Sequence, residues 1–282
     1  MNRFCVVAMR ERPEIAEAAK EIKKYLEEKG CICTINSGYV KKENISGDTQ
    51  CAIVLGGDGT LLQAARELVE TNIRLIGINF GNLGFLAEVE KDDIIGTLNR
   101  LIADQFFVEK RMLLKGSIVR GDKVVMENVA LNDIVINRSS LMRVMQLTIF
   151  VNGMRLSEYN ADGIIISTPT GSTAYSMSAG GPIVKPSAQL ILMTPICPHT
   201  LNTRSIILDG EDVIEIQACS RRKYDNDIKK VFFDGDDNII LEEGDKVVIE
   251  KSKLSVEIIK LKSRSFLEIL GKKMGSHERT EA

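Results

Sequence analysis

The sequence predicts an α/β domain with a parallel sheet, followed by an all-β domain. Two observations lead to this fold class. Up to about residue 100, short apolar runs alternate with segments of helical periodicity, which is the pattern of βαβ units. After about residue 105, short β-prone runs separated by turn signals replace that alternation, and helical periodicity is nearly absent. We therefore expect a domain boundary near residue 103.

The first domain, residues 1–103, is expected to be Rossmann-like. It opens with a strand from Phe4 to Ala8, and Pro13 then begins a helix that ends before Gly30. The run 51–55 is apolar without alternation, as expected of a parallel strand buried on both faces. Further strands are predicted at 31–35 and 74–78, and further helices at about 61–69 and 92–102.

The second domain, residues 104–265, is predicted to be a β-sandwich. Its strand-like runs are divided by turn signals at Gly121-Asp122, Asn152-Gly153, Asp209-Gly210, Asp234-Gly235 and Glu243-Gly244-Asp245. Residues 266–282 are expected to form a C-terminal tail, which reads as disordered from Gly271 onward.

Charge and hydropathy argue against several classes of partner. The chain has 37 Lys and Arg against 39 Asp and Glu, whereas nucleic-acid binders usually carry a cationic excess. No apolar run reaches the roughly 18 residues that cross a bilayer, and the first residues carry charge too early for a signal peptide. We expect a cytoplasmic protein with neither a nucleic-acid nor a membrane partner.

Cysteine and histidine usage narrows the chemistry. The six cysteines are scattered without CxxC spacing, which favours buried reduced thiols over disulfides or a protein-bound metal. The only histidines, His199 and His277, leave little for a histidine triad or a multi-histidine metal site. A cysteine nucleophile served by His199 remains an alternative.

The sharpest local motif is Gly56-Gly57-Asp58-Gly59-Thr60, between a predicted strand and a predicted helix. Glycines let the backbone approach a ligand and turn N–H groups toward it, and the helix adds its positive N-terminal end. A carboxylate there could take a proton from a hydroxyl that attacks phosphate. Alternatively, Asp58 only caps the helix. The lysine of a Walker loop is absent, so backbone amides would hold the phosphates.

Three other segments are candidates for ligand contact. A glycine-rich loop from Asn79 to Leu86 follows the strand at 74–78, where open α/β sheets place their ligands. The segment 168–182 is rich in hydroxyl side chains and glycine, and its Tyr175 offers a face for stacking a base. Asn132-Asp133 heads a predicted strand, although both residue types are also common in turns.

Together these motifs resemble the NAD kinase family. Gly-Gly-Asp-Gly-Thr alone is shared with lipid and sphingoid kinases, whereas the run from Asp162-Gly163 through Thr168-Pro169-Thr170-Gly171-Ser172-Thr173-Ala174-Tyr175 to Gly180-Gly181-Pro182 is more diagnostic. The resemblance implies a phosphotransferase with an alcohol acceptor. The enzyme would phosphorylate the 2′-hydroxyl of the adenosine ribose of NAD to give NADP, with ATP, another triphosphate or polyphosphate as donor.

The resemblance also implies roles for individual residues. Asp58 would be the general base, with Gly56, Gly57, Gly59 and Thr60 forming the phosphate loop. Substrate contacts are implied for Asp58, Gly59, Asn132, Asp133, Arg143, Asn160, Asp162, Thr173, Ala174, Tyr175, Ser176, Met177, Ser178 and Asp236. Asp236 lies where many members have Gln or Asn, and a carboxylate can only accept hydrogen bonds. A divalent cation, Mg²⁺, would arrive on the donor, and a homodimer or homotetramer is expected.

Two other function classes stay open at this point. A lipid or sphingoid kinase would use the glycine loop equally well, but no basic amphipathic helix is found to bring it to a membrane. A non-catalytic dinucleotide-binding regulator would need no acid in the phosphate turn, so Asp58 argues against it.

Overall fold

The computed structural model describes residues 1–8, 12–81, 84–87, 89–138, 145–199, 204–219, 228–261 and 266–275. The chain divides into two compact units. One is Met1–Lys110 together with Val256–Ala282, and the other is Arg111–Ser255. The predicted fold class is confirmed, because the first unit is an α/β unit with a parallel sheet and the second is built from antiparallel strands.

The first unit contains most of the helices. Its strands are β1 (Arg3–Ala8), β2 (Ile32–Ser37), β3 (Cys51–Leu55), β4 (Arg74–Asn79) and β5 (Val89–Glu90). Its helices before the chain enters the second unit are α1 (Pro13–Glu28), α2 (Asp58–Glu67) and α3 (Ile94–Ile102). Pro13 occupies the start of α1, and Gly30 adopts a left-handed φ of 79° just after it, so both predicted signals mark the helix boundaries.

The second unit is a pair of antiparallel sheets. Its elements are β6 (Phe107–Arg120), β7 (Lys123–Ala130), β8 (Asp133–Arg138), β9 (Met145–Val151), β10 (Met154–Ala161), β11 (Gly163–Ser167), α4 (Tyr175–Ser178), β12 (Leu190–Ile196), β13 (Ile206–Asp209), β14 (Ile214–Cys219), β15 (Lys229–Phe233), β16 (Asp237–Leu241) and β17 (Lys246–Lys260). The final helix, α5 (Phe266–Gly275), belongs to the first unit.

The parallel sheet of the first unit has the order β2-β1-β3-β4, and the end of β17 adds Ile258 beside Leu75 of β4. Alternate residues of β3 face opposite sides. Ile53 packs in the same core as Ile22 of α1 and Leu101 of α3, while its neighbour Val54 points to the other side and is equally buried. The predicted burial of β3 on both faces is confirmed.

The larger core of the second unit lies between its sheets. One sheet has the order β13-β12-β11-β8-β15-β16, and the other contains β10-β9-β14-β17 with β6 and β7. Fully buried side chains from both sheets meet in this core, among them Ile134 and Ile166 from the first sheet and Leu147 and Ile216 from the second. This arrangement is the expected β-sandwich.

The unit boundaries differ from the predicted 103/104 and 265/266. The chain leaves the first unit at Lys110, inside the long strand β6, and returns at Val256, inside β17. The change from helical to strand periodicity in the sequence marks where strands begin. It does not mark where one long strand passes from one set of neighbouring strands to another, because both halves of that strand have the same periodicity.

The expectation of disorder from Gly271 is wrong for the described part of the tail. Residues 271–275 continue helix α5, whose Ile269 is buried. The lysine-rich composition suggested a solvated tail, but apolar residues at its start give the helix a face to bury. Residues 276–282 lie outside the described residues.

No helix within the described ranges has the length and apolar character that crossing a membrane requires.

A glycine in β4 supports the packing of the first unit. A Cβ at Gly77 would lie 2.8 Å from Ala87 Cβ, 2.9 Å from Ala87 Cα and 3.0 Å from a methyl of Leu61. We expect Gly77→Ala to lower the free energy of unfolding by about 1–3 kcal/mol, because backbone atoms cannot move aside cheaply. Urea denaturation measures the change. Gly47→Ala is the matched control, since no atom lies within 4 Å of its Cβ, and equal stability of the two variants would contradict the prediction.

Candidate active site

Asp58 is the first residue of α2, directly after the glycine turn that follows β3. Its carboxylate does not cap the helix. It accepts three hydrogen bonds from consecutive backbone amides in the loop after β4: Phe85 N–H donates to Oδ2 at 2.7 Å, and Leu86 and Ala87 donate to Oδ1 at 3.1 and 3.0 Å. The two loops meet because β3 and β4 are adjacent parallel strands whose carboxyl ends lie at one edge of the sheet.

The close approach of this loop requires glycine at position 84. A Cβ there would lie 1.8 Å from Oδ1 of Asp58, far inside van der Waals contact. Asn79 shapes the beginning of the same loop, since its side chain accepts from Gly81 N–H at 3.0 Å and donates to Gly81 O at 3.2 Å. The Asn79–Leu86 loop, a weak candidate from sequence, therefore contributes by holding Asp58.

The Asp58 carboxylate retains capacity for one more donor. Each carboxylate oxygen has two lone pairs; among the described residues, Oδ1 accepts from two amides and Oδ2 accepts from Phe85 alone. Asp58 is partly exposed to solvent. The geometry thus fixes the carboxylate rigidly and leaves Oδ2 able to accept a proton from a bound hydroxyl.

The three glycines around Asp58 differ in whether the fold requires them. Gly56 has a φ of 157°, and a Cβ there would lie 2.5 Å from Thr60 Oγ1, so the fold itself requires glycine. At Gly57 and Gly59 a Cβ would meet no atom within 4 Å, both residues are exposed, and Gly57 has an ordinary φ of −101°. The fold does not demand these two glycines, but they leave the first-turn amides of α2 open to a ligand.

The second unit contains a cavity of about 350 Å³. It is lined by Asn132, Asp133, Val135, Asn137, Ala174, Tyr175, Phe232, Asp234 and Gly235. Four of these, Asn132, Asp133, Ala174 and Tyr175, are predicted contact residues. The sequence reading missed the others, although alternation along β8 places Val135 and Asn137 on the same face as Asp133.

Asp234 organises one wall of this cavity. Its carboxylate accepts from the backbone amides of Leu131, Asn132 and Asp133 at 2.8, 2.7 and 3.1 Å, and its own amide donates to Asp133 O at 3.0 Å. Asp234 and Gly235 have φ of 51° and 83° in the turn between β15 and β16. The sequence had marked this pair only as a turn signal, and that turn aims the Asp234 side chain at the start of β8.

The hydroxyl-rich segment 168–182 holds the residues at the start of β8 from the other side. Thr168 donates its hydroxyl to Leu131 O at 2.5 Å and its amide to Asn132 O at 2.9 Å. A Cβ at Gly171 would lie 2.1 Å from Asn132 O, so only glycine permits this approach. Amides bonded to Asp234 and carbonyls bonded to Thr168 therefore fix the position of the Asn132-Asp133 pair.

The Asp133 carboxyl is nearly buried and faces the cavity beside a second acid. Burial, and then repulsion from Asp234, raise the pKa of Asp133 from 3.8 to about 7. Asp234 accepts three backbone amide hydrogen bonds beside it. The cavity therefore contains an acid whose pKa burial raises to about 7, next to a second carboxyl group. A protonated Asp133 would donate a hydrogen bond that an ionised carboxylate lacks.

Tyr175 supplies an aromatic ring to the cavity and is 42 % exposed. Desolvation raises the pKa of its phenol, with smaller contributions from negative charge at Cys197, Asp133 and Asp162. The phenol is therefore protonated at neutral pH. The ring and the Phe232 side chain give the cavity apolar surfaces next to its acids and amides.

Several predicted contact residues do not line the cavity. Thr173 donates its hydroxyl to Thr170 O at 3.3 Å, and Ser176 is buried and shares a 3.2 Å hydrogen bond with Thr194. Exposed predicted residues away from the lining are Met177, Ser178 and Asp236. Arg143 lies outside the described residues.

Asn160 and Asp162 lie on or beside strand β10. The side-chain oxygen of Asn160 is buried and has no hydrogen-bond partner among the described residues. Asp162 accepts from Arg138 through Nε at 3.1 Å and Nη2 at 2.5 Å. Sequence reasoning missed Arg138, because no motif marks an arginine at the end of a strand.

Across the ranges that the structure describes, no group of three or more His, Cys, Asp or Glu side chains is placed to hold a metal ion. The six cysteines are free thiols, four of them buried. Burial raises the pKa of Cys5 and raises that of Cys33 to about 12, which makes both thiols poor nucleophiles at neutral pH.

Comparison with known proteins decides the family. Residues 8–106 match the model of the ATP-NAD kinase N-terminal domain, and residues 131–261 match that of the ATP-NAD kinase C-terminal domain. A protein named NAD kinase from Agathobacter rectalis is 43 % identical over 98 % of this chain and 100 % of its own. The chain belongs to the NAD kinase family.

Two solved kinase structures share the fold of this chain. The structure of yeast NADH kinase complexed with NADH covers 100 % of this chain and 89 % of its own, with a TM-score of 0.81 and 22 % identity. An NAD kinase from Archaeoglobus fulgidus in complex with ATP covers 96 % of this chain and 98 % of its own, with a TM-score of 0.77 and 24 % identity. These two structures therefore confirm the fold that the sequence resemblance implies.

The acid pair predicts a pH-dependent stability. The folded pKa of Asp133 lies above its unfolded value, so its contribution to stability is complete below about pH 4 and declines as pH rises to about 7. The loss approaches about 1.4 kcal/mol per pH unit within that window. We expect Asp133→Asn to flatten the fall in unfolding free energy between about pH 4 and pH 7, measured by denaturant titration.

The same substitution at Asp122, an exposed residue between β6 and β7, controls for the loss of one carboxylate. If Asp133→Asn and the unmodified protein lose stability in parallel over this range, Asp133 is already ionised in the folded state.

Proposed function

We propose that this protein transfers the terminal phosphoryl group of ATP to the 2′-hydroxyl of the adenosine ribose of NAD, with Asp58 as general base. The observation that carries the proposal is the Asp58 carboxylate, which three amides hold beside an open glycine turn while Oδ2 keeps one lone pair. A base so fixed is in place before the hydroxyl arrives. Membership of the NAD kinase family supports the identity of the substrates.

The reaction asks mainly for positioning and charge stabilisation. In an in-line transfer, Asp58 Oδ2 accepts the proton as the hydroxyl oxygen attacks phosphorus, and the bond to the leaving phosphate breaks. Backbone amides of Gly57, Asp58 and Gly59, at the positive end of α2, would hold donor phosphates, whereas the Thr60 amide already donates to Gly57 O at 3.1 Å. The open space beside Gly57 and Gly59 admits phosphate oxygens to those amides.

The divalent cation belongs to the donor in this proposal. The described residues include no group of three or more His, Cys, Asp or Glu side chains that could form a cage, which fits Mg²⁺ that arrives on the phosphates and keeps several waters. When bound there, Mg²⁺ neutralises charge on the phosphate oxygens. Mg²⁺ as the metal, a homodimer or homotetramer, and a cytoplasmic location stay predictions, as does polyphosphate as an alternative donor.

The cavity of the second unit is the proposed site for a nucleoside part of NAD. Its volume of about 350 Å³ falls within the range of small-molecule sites. Tyr175 and Phe232 offer apolar faces for a base, and Asn132 and Asp133 offer hydrogen-bonding groups. The acids would disfavour phosphate groups inside, so the phosphates would lie outside this cavity.

Removing the base tests the proposal directly. We expect Asp58→Asn to lower kcat by about 10²–10⁴-fold, because the amide keeps the size of the side chain but cannot take a proton. Binding of NAD, measured by calorimetry, should change little. Purified protein is assayed with NAD, Mg²⁺ and ATP for NADP formation.

Competing acceptors distinguish the other function classes. Diacylglycerol and sphingosine are added to the same assay, and phosphorylation of either in preference to NAD would identify a lipid kinase. Absence of NADP with both ATP and polyphosphate would overturn the proposed function. Turnover by Asp58→Asn near that of the unmodified protein would leave the activity but remove Asp58 as the base.

The cavity predicts unequal roles for two neighbouring residues of α4. Tyr175 and Met177 are each 42 % exposed, but only Tyr175 is among the residues lining the cavity. We expect Tyr175→Ala to raise the KM for NAD by about 5–100-fold, since stacking a base is worth about 1–3 kcal/mol. Met177→Ala should raise it much less. Equal effects on KM would place the base elsewhere.

A further inference from the structure

Helix α5 packs against the loop that holds Asp58. Phe266, its first residue, places its ring centroid 6.0 Å from that of Phe85, with the ring planes at 39°. Lys273, in the last turn of α5, places Nζ 4.7 Å from the same Phe85 centroid. One aromatic ring thus contacts both ends of the C-terminal helix.

The spacing on α5 explains how one helix makes both contacts. Phe266 and Lys273 are seven residues apart, which is about two helical turns, so they lie on the same face. Ile269 lies between them and is only 3 % exposed. This face of α5 is therefore a packed surface, although the sequence suggested a solvated tail.

The backbone of Phe85 makes the shortest of the three hydrogen bonds to Asp58. Its N–H lies 2.7 Å from Oδ2, the same oxygen that retains a lone pair. The preceding residue, Gly84, has no side chain to restrict it. Contacts to the Phe85 ring therefore add a restraint on the Phe85 amide, beside the neighbouring bonds of Leu86 and Ala87 to the same carboxylate.

We propose that α5 is a positioning element for the general base: Phe266 and Lys273 fix the Phe85 ring, and through it the amide that orients Oδ2 of Asp58. This inference rests on the proposed role of Asp58. Neither α5 residue touches the reacting atoms. Phe266 and Lys273 act on turnover through the direction of a lone pair, and a displacement of about 1 Å at such a group is enough to slow a reaction severely.

The first test separates turnover from binding. We expect Phe266→Ala to lower kcat about tenfold while the KM values for NAD and ATP change little. Phe266→Tyr, which keeps the ring, should restore kcat. Met274→Ala is the matched control, because Met274 lies on the same helix with 67 % of its surface exposed. Loss of kcat in Met274→Ala to the same extent, or an unchanged kcat in Phe266→Ala, would overturn the inference.

A double-mutant cycle tests whether Phe266 acts through Asp58. In the Asp58→Asn background the base is absent, so Phe266→Ala should cause no further loss of kcat. The same fold loss in both backgrounds would overturn the positioning role. If Asp58→Asn alone keeps normal turnover, the proposed function of Asp58 fails, and that result is distinct from failure of the inference about α5.

Amide exchange gives a readout that does not depend on activity. We expect exchange of the Phe85, Leu86 and Ala87 amides to become faster in Phe266→Ala, since their bonds to Asp58 would open more often. If Phe266→Ala fails to fold, Lys273→Met provides the second variant, with Lys273→Arg as the version that keeps the cation. Unchanged exchange in a folded variant that has lost kcat would overturn the inference.

Discussion

The structure depends on one repeated interaction, a carboxylate that accepts hydrogen bonds from three consecutive backbone amides. Asp58 binds the amides of Phe85 to Ala87, and Asp234 binds those of Leu131 to Asp133. Each interaction joins two loops at strand ends that are distant in sequence. A charged acceptor satisfies three donors at once, and hydrogen bonds to a charged group are stronger than neutral ones. Each pair of loops is therefore held more firmly than loop packing alone would hold it.

These interactions explain which glycines the fold requires. Gly84 and Gly171 lie where a Cβ would occupy the space of Asp58 Oδ1 or Asn132 O. Gly57 and Gly59 have open space instead, so their lack of side chains serves access to the helix terminus. Glycine thus has two roles in this protein, close packing of a loop and exposure of backbone amides. The surroundings of the missing Cβ, crowded or open, distinguish the two roles.

Charge in this protein is used locally. The near balance of 37 basic and 39 acidic residues first indicated only that nucleic acid is an unsuitable partner. The proposed substrates are also polyanions, but oriented amides, a helix N-terminus and a donor-bound cation can hold their phosphates without a basic surface. The two acids at the cavity disfavour phosphate groups there, so the cavity favours a neutral part of the ligand. With only two histidines in the sequence, the proton acceptor that we propose is a carboxylate.

The sequence by itself determined the order of strands and helices, the change from α/β to all-β, the glycine turn with Asp58, and the family. These features are local, because hydrophobic period, turn residues and motif spacing are all read within a few residues. Tertiary structure decided what Asp58 and Asp234 bind, that Tyr175 and not Met177 lines the cavity, and that residues 266–275 return to the first unit as a helix. Each of these depends on contacts between residues far apart in the chain, and no local pattern encodes such partners.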